Sequence, residues 1–161
     1  MKPHVADMSK ALKFKYFDFS NEMTKAGLVF DLTSVARDYK EQLALFAQGR
    51  ESLTKVNALR AIALMPPIRN DIENKIVTWT LNSKHIVNRQ NETPFDDLSN
   101  AFDIILIKTI IPLKPSRHYD LKISVNNNKI PDYLEASEIG KKVGLIVGAS
   151  FKNPDYPHYQ V

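Results

Sequence analysis

Cysteine is absent from this chain of 161 residues. The absence excludes a disulfide framework, a thiolate metal site and a thiol nucleophile. If the protein binds a metal ion, nitrogen and oxygen atoms must therefore supply the ligands.

Long apolar runs are also absent. No window approaches the roughly 20 apolar residues that a membrane helix needs, and the first residues lack the apolar stretch of a signal peptide. The longest apolar run, residues 104–107 continued at 109–111, is short and β-branched, which is typical of a buried strand. We expect synthesis in the cytoplasm, no membrane insertion, and release by another agent if the protein acts elsewhere.

No run of like charge is present. The net charge of +4 and the pI near 9.2 favour anionic partners, but the basic residues are scattered along the chain. A nucleic-acid partner is therefore not expected. The composition, 43% hydrophobic and 25% charged, is that of an ordinary globular domain.

Periodicity and turn signals predict an α+β fold, with helices packed on a small antiparallel sheet. Helical patterns cover the segments 8–26, 39–48, 51–75 up to the break at Pro66–Pro67, and 132–142. Strand-like composition covers the segments 28–35, 76–80, 101–108 and 145–148. Asp38 is placed to cap the second helix and Gly49 to end it.

The organisation predicted is one domain over residues 1–161. Residues 1–26 form a helical lead-in, and the polar segments 86–100 and 112–128 are expected to be surface insertions. No repeat or linker interrupts the chain. We expect a monomer.

Several blocks carry recognisable patterns in a fixed order. They are Val35–Gln42 with Leu45–Arg50, Ile76–Thr78 with Ser83–His85, Ala101–Ile104, and Glu138–Leu145 with Asp155–Tyr159. Together they resemble the D-alanyl-D-alanine carboxypeptidase-like zinc metallopeptidases, and most closely the L-alanyl-D-glutamate endopeptidases that bacteriophages use as endolysins. The resemblance covers residues 28–160.

The resemblance implies a Zn²⁺ site formed by His85, Asp103 and His158. It further implies Asp155 as the general base and Arg37 as the residue that stabilises the developing oxyanion. Gln42, Thr78 and Ser83 match motif positions and are expected to support the site from outside. The implied reaction is bacteriolytic: a phage hydrolase degrades the host cell wall by cutting peptidoglycan stem peptides, at the bond between L-alanine and D-glutamate.

The chain departs from the family pattern in two places. Seventeen residues separate His85 from Asp103, where the family keeps these ligands close together, so an insertion is expected and Glu92, Asp96 and Asp97 are rival oxygen ligands. The family's Gly-Leu-x-Trp-Gly-Gly is here the segment 144–149, without the tryptophan.

Other interpretations remain open at this stage. Arg37 can instead pair with Asp38 or Glu41, and His118 and His4 are expected at the surface. A D,D- or L,D-carboxypeptidase of the same fold, or a catalytically inactive relative that binds wall peptide or another protein, are the alternative functions.

Overall fold

The computed structural model describes residues 3–87, 98–108 and 115–161. Its helices are α1 (Lys10–Lys25), α2 (Tyr39–Ala47), α3 (Leu53–Ile62) and α4 (Asp132–Lys142). Its strands are β1 (Val29–Ser34), β2 (Ala101–Lys108), β3 (Ser116–His118), β4 (Ile146–Val147) and β5 (His158–Gln160). Four helices with an antiparallel five-stranded sheet confirm the predicted α+β fold.

The chain contains two compact units. The first combines Met1–Ala36 with Leu98–Val161 and holds the whole sheet, α1 and α4, and the second is Arg37–Asp97 with α2 and α3. A single domain over 1–161 stays a prediction. Most of the predicted insertion at 86–100 lies outside the described residues, while the described part of 112–128 contains β3.

Strand β2 is the centre of the sheet in the first unit. The strand order is β1-β2-β5-β4, with β3 also paired to β2, and every pair is antiparallel. Side chains alternate between the two faces of a strand. Phe102 and Leu106 therefore point to one face and are buried in the core, whereas Asp103 points to the other.

Aromatic rings fill the core between the sheet and its helices. Phe102 stacks on Tyr159 at 5.2 Å between ring centroids, and Phe19 of α1 lies 4.7 Å from the same tyrosine. Such pairs add roughly 0.5–1.5 kcal/mol each beyond the burial of their area. A Cβ atom at Gly140 would lie only 2.8 Å from the Tyr159 ring, so α4 needs glycine to approach the sheet this closely.

The second unit begins with a well-capped helix. The Asp38 side chain accepts from the Glu41 N–H at 2.8 Å, and Glu41 accepts in return from the Asp38 N–H at 3.0 Å. This reciprocal pair fixes the start of α2 where the sequence predicted it. A small core of Ala47, Val56 and Ile68 joins α2 to α3.

The strand predicted for residues 76–80 is wrong, because these residues have irregular backbone. Side chains satisfy the carbonyl groups that a neighbouring strand would otherwise use. Gln42 Nε2 donates to Thr80 O at 2.6 Å, and Arg50 Nη2 donates to Thr78 O at 3.1 Å. The short strands β3 and β5 were not predicted, and α3 ends at Ile62, before Pro66.

Candidate metal centre

Two of the predicted ligands lie side by side on the sheet of the first unit. Asp103 of β2 and His158 of β5 are direct Cα partners in the antiparallel ladder, and directly opposed residues point to the same face. Their side chains meet there, with His158 Nδ1 2.9 Å from Asp103 Oδ1. Both are largely buried, with 9% of the His158 and 20% of the Asp103 side chain exposed.

Gln160 holds the other nitrogen of His158. It lies two residues further along β5, on the same face, and its Oε1 is 3.0 Å from His158 Nε2. The Asp103 carboxylate can only accept, so without a metal ion Nδ1 carries a hydrogen and donates it to Asp103. When Nδ1 instead binds a metal ion, Nε2 carries the hydrogen and can donate it to Gln160 Oε1. Outer partners of this kind orient the ligands of metal sites.

The same contacts control the protonation of His158 when no metal is bound. Burial disfavours the charged ring and is the largest single influence on its pKa. The hydrogen bond that His158 donates to Asp103 and the negative charge of Asp103, with smaller contributions from Gln160 and Asp155, oppose it and together hold the pKa above the usual 6.5. A proton on Nδ1 thus occupies the position in which a metal ion would bind.

Asp155 lies on a tight loop that leads into β5. Its N–H donates to Gly148 O at 2.9 Å, and its own carbonyl accepts from the His158 N–H at 3.1 Å. A Cβ atom at position 148 would overlap the Asp155 carbonyl oxygen and lie 2.8 Å from His158 Cβ, so the loop closes only on glycine. The Asp155 residue itself is exposed, where it can exchange protons with solvent.

His85 is buried in the second unit with 2% of its surface exposed. The backbone of its segment pairs with that of Arg37: the Arg37 N–H donates to His85 O, and the Val87 N–H donates to Arg37 O, both at 2.9 Å. Ser83 Oγ also accepts from the His85 N–H at 3.3 Å. The predicted ligand and the predicted arginine therefore belong to one hydrogen-bonded pair of segments.

A buried glutamine connects Arg37 to the segment around Thr78. Arg37 Nη1 donates to Gln42 Oε1 at 2.7 Å, and Gln42, which has no exposed surface, donates to Thr78 Oγ1 at 3.3 Å as well as to Thr80 O. Gln42 thus holds Arg37, Thr78 in turn holds Gln42, and Ser83 bonds the backbone of His85.

His85, Asp103 and His158 together form a group that can hold a metal ion. One ligand atom from each, two imidazole nitrogens and a carboxylate oxygen, lies within 4.8 Å of the others. Two neutral imidazoles and one carboxylate are a typical protein ligand set for catalytic zinc, which keeps a fourth position open for water. The donor set therefore fits the ion.

The other residues singled out in the sequence are not part of the group that the described residues form. The rival ligands Glu92, Asp96 and Asp97 lie outside the described residues. The expectation that His118 is a surface residue is wrong, because its side chain is 9% exposed and its Nε2 lies 3.5 Å from the buried Asp132 Oδ2. The alternating pattern of a strand, had β5 been recognised, would have pointed to Gln160 as a neighbour of His158.

No family model and no curated protein matches the sequence. No helix in the described part of the chain is long and apolar enough to cross a membrane. The physical case for function therefore depends on the His-Asp-His group and its surroundings.

Proposed function

We propose that this protein is a zinc-dependent peptidase that cuts the stem peptides of bacterial peptidoglycan, as a phage endolysin does. The observation that carries the proposal is the convergence of His85, Asp103 and His158, which are far apart in the sequence, within 4.8 Å. Buried imidazole and carboxylate groups rarely cluster in this way without a partner that compensates their loss of hydration. The choice of substrate is supported by the sequence resemblance.

Zinc at these ligands would supply a water whose pKa falls from about 15.7 toward about 7, and a positive charge that polarises the scissile carbonyl. His85, Asp103 and His158 would hold the ion, and Gln160 Oε1 would accept from His158 Nε2 while Nδ1 binds the ion.

Asp155 acts as the general base. It takes a proton from the attacking water and passes it to the nitrogen of the leaving amine, so that one carboxylate serves both steps. Two features support the assignment: Asp155 is exposed, and its backbone carbonyl accepts from the His158 N–H at 3.1 Å, so the residue lies beside the ligand.

Arg37 stabilises the negative charge that develops on the carbonyl oxygen. Its guanidinium is permanently charged, and the hydrogen bond to buried Gln42 limits the positions it can adopt. Donors that are held in place before the reaction lower the barrier because they need little reorganisation.

The test is mass spectrometry of the products released from purified Gram-negative peptidoglycan. Wild-type protein is expected to create new D-glutamate amino termini, and chelation should abolish them until zinc is restored. Asp155→Ala should retain zinc but lose most activity, whereas Asp18→Ala, which removes another exposed carboxylate from α1, should cleave like wild type.

Other outcomes select the alternatives. Free D-alanine without new D-glutamate termini would assign a carboxypeptidase of the same fold. Peptidoglycan that stays intact with zinc bound would leave only the inactive wall-peptide or protein-binding relative. Full activity in the presence of chelator would contradict a metal-dependent reaction altogether.

A further inference from the structure

The face of the sheet that carries Asp103 also carries a charged pair. Along β2, Asp103, Ile105 and Ile107 share this face because side chains alternate. On the flanking strands, Asp31 is the direct partner of Ile105, and Arg117 is the direct partner of Ile107. Opposed residues share a face, so Asp31 and Arg117 stand on the same side of the sheet as the ligand.

The guanidinium of Arg117 reaches back toward the metal ligands. Its Nη2 and Nε donate to Asp31 Oδ2 at 2.8 and 3.2 Å. Asp31 lies opposite Ile105 of β2. Ile105 follows Asp103 by two residues, a rise of about 7 Å along that strand. The guanidinium is therefore held by a side chain at the level of Ile105, two residues along β2 from Asp103.

Tyr119 lies in the electrostatic field of the same charged groups. The pKa of its hydroxyl is raised, and burial is the largest cause. The Asp103 and Asp155 carboxylates raise this pKa further, and the charge of Arg117 lowers it. Asp103, Arg117 and Asp155 are thus all within electrostatic range of one phenol. Tyr119 is 59% exposed, so solvent reaches this residue.

We propose that Arg117 recognises a carboxylate of an acidic peptide substrate, about two residues from the bond that is cut. The inference depends on the proposed function, because it assigns a specificity residue to that same site. Peptidoglycan stem peptides carry free carboxylates close to the bond between L-alanine and D-glutamate, and in some walls these groups are amidated.

The hydrogen bonding of Arg117 suits this role. Guanidinium has five N–H donors, and the two bonds to Asp31 use two of them on a single oxygen. The remaining donors can bind a second carboxylate in the planar, two-bond geometry that arginine favours. The pair is well exposed, with 65% of the Arg117 and 44% of the Asp31 side chain accessible, so Asp31 orients the group and also competes with the substrate for it.

The experiment measures kcat and KM of the zinc-loaded full chain on two synthetic stem peptides, one with free carboxylates and one amidated. Arg117→Gln should raise KM for the acidic peptide about three- to tenfold with kcat nearly unchanged, and should not affect the amidated peptide. Arg117→Lys should recover part of the loss. Asp31→Asn, which frees the guanidinium, should lower KM for the acidic peptide.

Lys141→Gln is the matched control. It removes a basic side chain from another exposed ion pair, that of Lys141 with Glu138 at 2.7 Å on α4, and should change neither peptide's kinetics. A purely structural Arg117–Asp31 pair would make Arg117→Gln and Asp31→Asn equally harmful on both peptides, which would overturn the inference. If wild type cleaves neither peptide, the proposed function itself fails.

Discussion

The two units hold their candidate functional residues by different means. In the first unit, Asp103 and His158 belong to paired strands, so backbone hydrogen bonds of the sheet place them. In the second, His85 and Arg37 lie outside the regular strands: two backbone hydrogen bonds of an isolated bridge join their segments, and Gln42 and Ser83 add side-chain hydrogen bonds. Substitution of a ligand side chain on paired strands leaves the backbone hydrogen bonds that position its neighbours. In the irregular segments, the position of the backbone also depends on particular polar side chains.

The largest expected effect comes from removing a ligand on the sheet. Asp103→Ala should weaken zinc binding by more than the roughly 10–100-fold typical of an outer partner, because it deletes the one carboxylate of the group. The β2–β5 ladder should persist, since it is made by backbone groups. Isothermal titration with zinc, beside far-UV circular dichroism, measures both quantities. Unchanged zinc affinity would exclude Asp103 as a ligand.

A smaller effect is expected from an outer residue in the irregular segments. Gln42→Ala should lower the free energy of unfolding by about 2–4 kcal/mol, because each buried polar group left without a partner costs about 1–3 kcal/mol. Urea denaturation measures the change, and Asn21→Ala, which removes an exposed amide from α1, is the control. Equal stability of the two variants would show that Gln42 does not organise this unit.

The smallest expected effect is a pH dependence that changes sign with zinc. Without metal, the raised pKa of His158 means that the folded state binds the proton more tightly than the unfolded state. The stabilisation of the folded state by this proton is complete below pH 6.5, and it is lost as the pH rises through the raised pKa of His158. With zinc, the proton must leave Nδ1, so stability should rise over the same range.

Thermal unfolding from pH 5.5 to 8, with chelator and with zinc, tests this prediction. Asp103→Asn is the reference, since it removes the charge that raises the pKa and leaves similar volume. Parallel curves for wild type and Asp103→Asn in chelator would contradict the assignment of the effect to His158.

The sequence predicted the regular elements better than the irregular ones. Asp38 and Gly49 are local signals, and α2 lies between them as expected. The apolar β-branched run at 104–107 likewise predicted β2. The failure at 76–80 has a tertiary cause: Thr78 and Thr80 have strand propensity, but Gln42 and Arg50 bond their carbonyls, and propensity cannot anticipate such partners.

The candidate site was visible in the sequence only through its motifs. Nothing local to His85, Asp103 or His158 indicates that they converge, because ligands distant in sequence are brought together by tertiary structure. Gln160 was missed since β5 is three residues long, too short for an alternating pattern to be recognised. His118 was misjudged because its burial depends on Asp132, fourteen residues away in the sequence.

The loop closed by Gly148 has a consequence for anyone who wishes to move this chemistry elsewhere. Asp155 and His158 are joined by a backbone hydrogen bond, and the same loop is closed on the Gly148 carbonyl. The backbones of the proposed base and of the ligand therefore belong to one closed segment, which has no room for a side chain at position 148. An engineer who transfers the site to another scaffold would have to move residues 148–158 as a single segment.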